Sequence, residues 1–223
     1  MKNAKDKNTS FGNLRIEADN TGDRLTASVT SDRISSGAIT VDNTRLILAG
    51  KDSGFDMKLD FNNADTTNVA LSAGITLQRT PSGNIAADIA LDTSSIMIRR
   101  HEWELDPAGI HIGKRLYTVD GFHLHSESDT LKVSGTVSEN PDDLLAIRLA
   151  NLDLSLLDSF TGKDLNMKGR LSGDIELSNF FNGLGATMEI EGNGLSLLGQ
   201  DIGELSVLSR RDRTRERFNI LIN

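Results

Sequence analysis

The chain of 223 residues contains no cysteine, which excludes both a disulfide framework and a thiolate metal site. Proline occurs only at Pro81, Pro107 and Pro141, each in a turn-like setting, so the segments between them can pair on both edges as strands. No apolar run approaches the roughly 18 residues that a membrane-spanning helix needs. Residues 1–10 also lack the apolar core of a signal peptide.

Aromatic residues are scarce as well, and acidic residues outnumber basic ones. One Trp, one Tyr and eight Phe leave an apolar content of 37% that consists mainly of Leu, Ile, Val and Ala. The formal net charge is −8 and the isoelectric point is near 5.0. Binding to nucleic acid depends on a basic surface that neutralises phosphates. We therefore expect no nucleic acid and no anionic membrane surface as a direct partner.

The sequence is rich in residues that alternate between apolar and polar, the pattern of a strand with one apolar face. Alternating segments begin at Phe11, recur about every 8–14 residues, and end in Gly, Asn, Asp, Ser or Pro, which favour turns. The pattern predicts an all-β fold, an elongated antiparallel meander that forms a single domain over 1–223. Strands become shorter after residue 92, which indicates a soft subdivision into 11–91 and 92–223.

The clearest alternation runs from Leu131 to Leu177. We expect its apolar side chains to form one face that is itself the functional surface, and the stretch contains no residue pattern of a catalytic site. Gly169 and Gly173 interrupt the last strand, where glycine marks a bulge or a close backbone approach that would let the sheet curl. The residues predicted to line this groove are Leu131, Val133, Val137, Ile147, Leu149, Leu171, Ile175 and Leu177.

One short helix is predicted over residues 152–160. The segment LDLSLLDSF places Leu152, Leu156, Leu157 and Phe160 on one side at helical spacing, and Gly162 follows as a stop signal. A two-turn helix with an apolar side, inserted between long strands, could plug or cap an apolar groove.

The histidines admit a metal-binding interpretation. His123 and His125 flank Leu124 and so share one face of a strand, and His111 could lie on a neighbouring strand. Without cysteine, and with no carboxylate clearly on the same face, we favour the alternative. In that interpretation the histidines form the solvated side of a strand whose buried side is Phe122 and Leu124, and no metal is expected.

Two charged groups also admit a second interpretation. Asp142 and Asp143 could perform acid–base chemistry. The sequence N-P-D-D is also typical of a solvated hairpin loop, and we favour this interpretation. Asp106, beside Pro107, is interpreted in the same way. A basic cluster could bind phosphate, but acidic residues interrupt it and a charged hairpin tip is favoured. Its arginines are residues 210, 211, 213, 215 and 217.

From about Asp92 to Asn223 the chain resembles the C-terminal portion of the TamB proteins of the AsmA-like superfamily, in the form found in Bacteroidetes. The resemblance rests on repeated short strand motifs of the types W-x-L, I-x-I and G-x-L-S-G. Its stretches are Trp103–Leu105, Ile110–Ile112, Val119–Leu124, the run from LKVSGTV to LDLSLL, MKGRLSGDIELSN, and IEGNGLSLLGQDIGELSVLS.

The resemblance implies a β-taco, a long sheet folded lengthwise into a trough with an apolar interior. It implies a protein of the periplasm and cell envelope that is anchored in the inner membrane and reaches toward the outer membrane. Its partners would be phospholipid acyl chains and, through the full-length protein, a BamA-like outer-membrane barrel. No cofactor and no enzymatic activity are implied. The chain would then be a fragment, as the alternating residues at its end, RFNILIN, also indicate.

A different class of function remains open at this point. A closed β-sandwich or solenoid could serve as a surface adhesion or carbohydrate-binding module. In a sandwich the apolar face would be packed against a second sheet, whereas in a trough it would stay partly accessible. The scarcity of aromatic residues counts against a sugar-binding surface.

Overall fold

The structure is a computed structural model that describes residues 9–36, 39–63, 67–98, 101–156, 165–212 and 215–222. Within these ranges the chain is almost entirely strand. The seventeen strands are β1 (Thr9–Gly12), β2 (Arg15–Thr21), β3 (Arg24–Ser36), β4 (Ile39–Lys51), β5 (Gly54–Asn63), β6 (Thr67–Arg79), β7 (Ile85–Leu91), β8 (Ser94–Ile98), β9 (His101–Leu105), β10 (Ala108–Gly113), β11 (Leu116–His125), β12 (Thr130–Val137), β13 (Leu144–Asp153), β14 (Lys168–Ser178), β15 (Gly185–Leu197), β16 (Gln200–Asp212) and β17 (Arg215–Ile222).

Hydrogen bonds join all seventeen strands into one sheet. Each strand pairs antiparallel with the next through six strands from β2 to β7 and eight strands from β10 to β17. Because β7 also pairs with β10, these two runs form fourteen successive strands. At a spacing of about 4.8 Å they span about 60 Å. The predicted all-β antiparallel meander is confirmed.

The sheet divides at its middle, between β6 and β11. The later residues of β6 pair with β7, whereas Asn68 and Val69 near its start pair with β8. Likewise β10 pairs with the first half of β11, while β9 pairs with Leu124 and His125 at its end. The β8–β9 hairpin and the β7–β10 pair therefore both bridge β6 and β11. The subdivision at residue 92 stays a prediction.

The buried core lies where the β8–β9 hairpin packs. Trp103 is 1% exposed and Leu105 is 2% exposed, and Ile96 is paired with Trp103 across the hairpin. Val69 of β6 and Leu156 pack against them. Partly buried side chains from β5, β6, β7, β11 and β13 complete the cluster: Phe61, Leu71, Leu91, Phe122, Leu124 and Leu152.

The helix predicted over 152–160 is wrong at its start. Strand β13 extends through Leu152, which pairs with Leu171 of β14. A bulge just before it inserts an extra residue and returns Leu152 to the apolar face, so the ladder satisfies its backbone groups. Within the described residues, helical geometry in this segment is limited to residues 155–156. Residues 157–160 lie outside the described ranges.

The sheet leaves a large surface exposed. The chain has 14476 Å² of accessible surface, whereas a compact monomer of its mass exposes about 10,000 Å². A single sheet whose faces are only partly covered by other parts of the chain has this property. No helix in the described part of the chain is long and apolar enough to cross a membrane.

We predict that Trp103→Ala lowers the free energy of unfolding by about 3–5 kcal/mol, because it opens a cavity in the core cluster. Urea denaturation followed by circular dichroism measures the change. Tyr117→Ala is the matched control, since that ring is 43% exposed and its removal is expected to cost less than about 1 kcal/mol. Equal losses for the two variants would contradict the assignment of the core to the β8–β9 hairpin.

Candidate functional site

The residues predicted to line a groove lie on one face of β12, β13 and β14. Residues paired directly across an antiparallel ladder point to the same face of the sheet. Val133 pairs with Ile147, and Ile147 pairs in turn with Ile175. Leu131 pairs with Leu149 in the next row. Side chains two residues apart along a strand point to the same face of the sheet, so the other predicted lining residues also lie on this face. They are Val137, Leu171 and Leu177.

All of these predicted lining residues are half-buried. None is fully buried like Trp103, and none is as exposed as Ile85 at the start of β7, whose exposed fraction is 65%. Aliphatic side chains in this state retain apolar surface that a ligand could cover. The face is therefore an accessible apolar surface made of side chains that cannot act as acids, bases or nucleophiles.

The apolar face extends beyond the predicted residues toward the C-terminal strands. Phe122 of β11 pairs with Val133, and Met188 of β15 pairs with Ile175. In the next row Ile190 of β15 pairs with Val207 of β16. One side of the sheet from β11 to β16 is thus continuously apolar and mostly aliphatic, apart from single small residues.

The N-terminal strands carry a similar face. A row of paired apolar residues crosses β2 to β6, through Ile16, Val29, Leu46, Leu59 and Leu71. Sequence reasoning predicted these segments as strands but did not include them in the functional surface. Their alternation is of the same kind as that between 131 and 177, and it is the signal that could have found them.

The opposite face of β12 to β14 is polar and exposed. Lys132, Arg148 and Asp174 are paired side by side across the three strands. The Arg148 Nε donates a hydrogen bond to Asp174 Oδ1 at 2.6 Å, and this carboxylate raises the pKa of Arg148. A face with paired charges holds water well, so the two sides of the sheet differ sharply in the ligands they can accept.

Glycine allows the strands to approach closely within the apolar face. Gly173 has φ near +148°, and a Cβ atom built there would lie 2.1 Å from the backbone oxygen of Glu189 on β15. Gly169 lies at a bulge between β14 and β15. The predicted bulge and close approach at these two glycines are confirmed.

One part of the apolar face is already filled by the protein. Phe122, Leu124 and Leu152 pack against the β8–β9 hairpin and Leu156. The predicted helix was expected to plug or cap a groove, and in the structure the hairpin with Trp103 fills this part of the face, with Leu156 beside it. Ile175 and Ile190, farther along the same rows, are not members of this core cluster.

A polar cleft of about 1100 Å³ borders the hairpin. Arg170 is held there by Asp129 at 2.8 Å and by the backbone oxygen of Asn151 at 2.9 Å. Its further acidic lining, Glu102, Glu104, Glu127 and Asp153, makes the cleft unsuited to an anionic group.

The histidine pair has an acidic neighbour that the sequence did not reveal. His123 Nδ1 lies 2.6 Å from Asp106 Oδ2, and His125 Nε2 lies 3.5 Å from Asp106 Oδ1. The expectation that no carboxylate shares this face was wrong. Asp106 does lie in the loop after β9, as predicted, but its side chain also contacts both histidines. The hydrogen bond from His123 lowers the pKa of Asp106, and His125 adds to the effect.

His111 does not join this cluster. It lies on β10 with its Nδ1 2.6 Å from Oδ1 of Asp88, its partner on β7. Asp142 and Asp143 lie in the turn between β12 and β13, where Asp143 accepts a hydrogen bond from Ser138 at 2.5 Å, as a hairpin loop requires. The side chains of the basic cluster from 210 to 217 lie outside the described part of the structure.

No family model, no curated protein and no solved structure matches this chain. The residues of the chain itself define the site: an accessible apolar face, a core hairpin that fills part of it, and a charged outer face.

We predict that Gly173→Ala disrupts the pairing of β14 with β15, because the added Cβ would overlap the backbone of Glu189. Backbone strain alone is expected to lower the free energy of unfolding by about 1–3 kcal/mol. Chemical denaturation measures this change. Gly74→Ala is the control, since nothing lies within 4 Å of a Cβ at this strand position, and a small stabilisation of about 0.4–1 kcal/mol is expected there. A neutral Gly173→Ala variant would contradict the close approach.

Proposed function

We propose that the apolar face of the sheet binds phospholipid acyl chains and that the chain is a segment of a lipid-conducting trough. One observation supports the proposal above the others: a mostly aliphatic apolar face that is continuous from β11 to β16 and half-buried. All seventeen described strands belong to one sheet, so no separate second sheet within the described residues covers this face.

The strength of such binding suits a conduit. Burying an acyl chain against an aliphatic wall contributes roughly 0.8 kcal/mol per methylene, or about 12 kcal/mol for a chain of about 16 carbons. The chain loses a comparable free energy on leaving a bilayer. A wall of this kind therefore neither traps the lipid nor rejects it, and lipid can pass along the rows of side chains.

The larger context of the proposal comes from the resemblance to TamB proteins. In that context the sheet is a β-taco, the chain works in the periplasm of the cell envelope, and the full-length protein is anchored in the inner membrane. Phospholipid would move between the two membranes. Support of outer-membrane protein assembly, with a BamA-like barrel as partner, is the accompanying role. The proposal assigns no catalytic residue.

The adhesion or carbohydrate-binding alternative has less support. Sugar-binding surfaces depend on exposed aromatic rings, and the single tryptophan, Trp103, is 1% exposed in the core. Phe11 and Tyr117 are exposed aromatic residues, but they lie on different strands, β1 and β11, that do not pair with each other.

We predict that phospholipid co-purifies with the protein and contacts the apolar face. A photo-crosslinking amino acid at Ile175 is expected to form lipid adducts, whereas the same amino acid at Asp174 is not, because Asp174 lies on the charged face. Mass spectrometry of the irradiated protein and of its solvent extract detects the adducts and the free lipid. Absence of lipid, or equal adducts at both positions, would contradict the proposal.

We also predict that Ile175→Asp reduces the lipid recovered with the protein. Loss of contact with two methylenes is worth about 1.6 kcal/mol, which is about tenfold in affinity. Quantitative lipid extraction at equal protein amounts measures the change. Asp174→Asn is the control on the opposite face and is expected to retain the wild-type lipid content.

A further inference from the structure

The cluster of Asp106, His123 and His125 brings three metal-ligating side chains together from two places in the chain. His123 and His125 are two residues apart on β11, so both point to the polar face. Asp106 follows β9 and is fixed beside them, because its backbone N–H donates a 3.0 Å hydrogen bond to the His123 oxygen. The ligand atoms of the three residues all lie within 4.8 Å of one another.

The spacing of these atoms is close to that of a metal centre. Ligand atoms about 2.1 Å from a metal lie about 3.0 Å apart at a right angle and about 3.4 Å apart at the tetrahedral angle. The Asp106 oxygens lie 2.6 Å from His123 Nδ1 and 3.5 Å from His125 Nε2. The two imidazole rings are stacked with centroids 4.5 Å apart.

The surroundings of the cluster leave room for an ion. The side chains of His123 and His125 are 26% and 30% exposed, and that of Asp106 is 41% exposed, so an ion can reach them from solvent. Glu104 is paired with His125 across the strands and adds negative charge on the same face, while Lys132, paired with His123, adds positive charge. The carboxylate of Asp106 is ionised at neutral pH, as a metal ligand must be.

We infer that Asp106, His123 and His125 form a binding site for a divalent transition metal ion of the zinc class. Two imidazole nitrogens and one carboxylate oxygen suit Zn²⁺, Ni²⁺ or Co²⁺ better than Ca²⁺ or Mg²⁺, which prefer oxygen ligands alone. Three protein ligands leave at least one position for water. The site is independent of the proposed lipid surface, because it lies on the opposite face of the sheet.

A metal here would tie the sheet together at the place where it divides. Asp106 lies in the connection between β9 and β10, and β9 belongs to the hairpin that carries Trp103. Coordination by β11 would hold this hairpin in place on the apolar face. Binding to the folded state alone raises the melting temperature in proportion to the logarithm of metal concentration.

The test is calorimetric titration of tag-free, chelator-treated protein with Zn²⁺ and separately with Mg²⁺. We expect one Zn²⁺ per chain, no comparable binding of Mg²⁺, and a melting temperature that rises with Zn²⁺. Loss of a residue that only orients a ligand already costs about 10–100-fold in affinity. His125→Asn and Asp106→Asn are therefore each expected to weaken Zn²⁺ binding at least about tenfold.

His111→Asn is the matched control, because His111 has the same 2.6 Å contact with a carboxylate but no second histidine. It is expected to bind Zn²⁺ like the wild type. Imidazole nitrogen resonances give an independent readout that needs no variant, with Zn²⁺ shifting Nδ1 of His123 and Nε2 of His125. Absence of stoichiometric Zn²⁺ binding, or binding unchanged in the Asp106 and His125 variants, would overturn the inference.

Discussion

A shift of one residue in the pairing of any strand would turn its apolar side chains to the other side of the sheet, so strand register is the constraint on which this structure depends. The ladders keep apolar residues opposite apolar residues across many successive strands. Where the alternation fails, a bulge corrects it. The extra residue before Leu152 places Leu152, and not Asn151, opposite Leu171. The face remains apolar because the backbone absorbs the irregularity.

The bulge in β11 has a consequence on both sides of the sheet. Val119 pairs with Gly135, but the extra residue that follows makes Phe122 the partner of Val133. Phe122 and Leu124 therefore face the core cluster, while His123 and His125 face Asp106. One backbone irregularity thus supplies side chains to the filled part of the apolar face and assembles the polar cluster on the reverse. The two surfaces are structurally coupled although their chemistry differs.

The local features of this fold could be predicted from the sequence, whereas the features that depend on non-neighbouring strands could not. Alternation identified the strands and placed Val133, Ile147 and Ile175 on one face, because a period of two residues is a property of each strand alone. The contact of Asp106 with His123 depends on β9 pairing with β11 after β10 has intervened. Leu152 has the spacing of a helical residue, but the bulge that keeps it in β13 is visible only once β14 is paired beside it.

The central proposal is that the apolar face is open beyond the part filled by the β8–β9 hairpin and that this open part accepts lipid. The absence of cysteine allows one to be placed at each position from 171 to 177 of β14 except Gly173, which has no room for a side chain, and labelled with bimane, whose emission reports local polarity. Emission is predicted to alternate with a period of two residues. Added short-chain phosphatidylcholine should shift it to the blue at Leu171, Ile175 and Leu177, but not at Ser172, Asp174 and Glu176. Emission at the apolar positions that does not respond to lipid would show that protein already covers this face and would contradict the account.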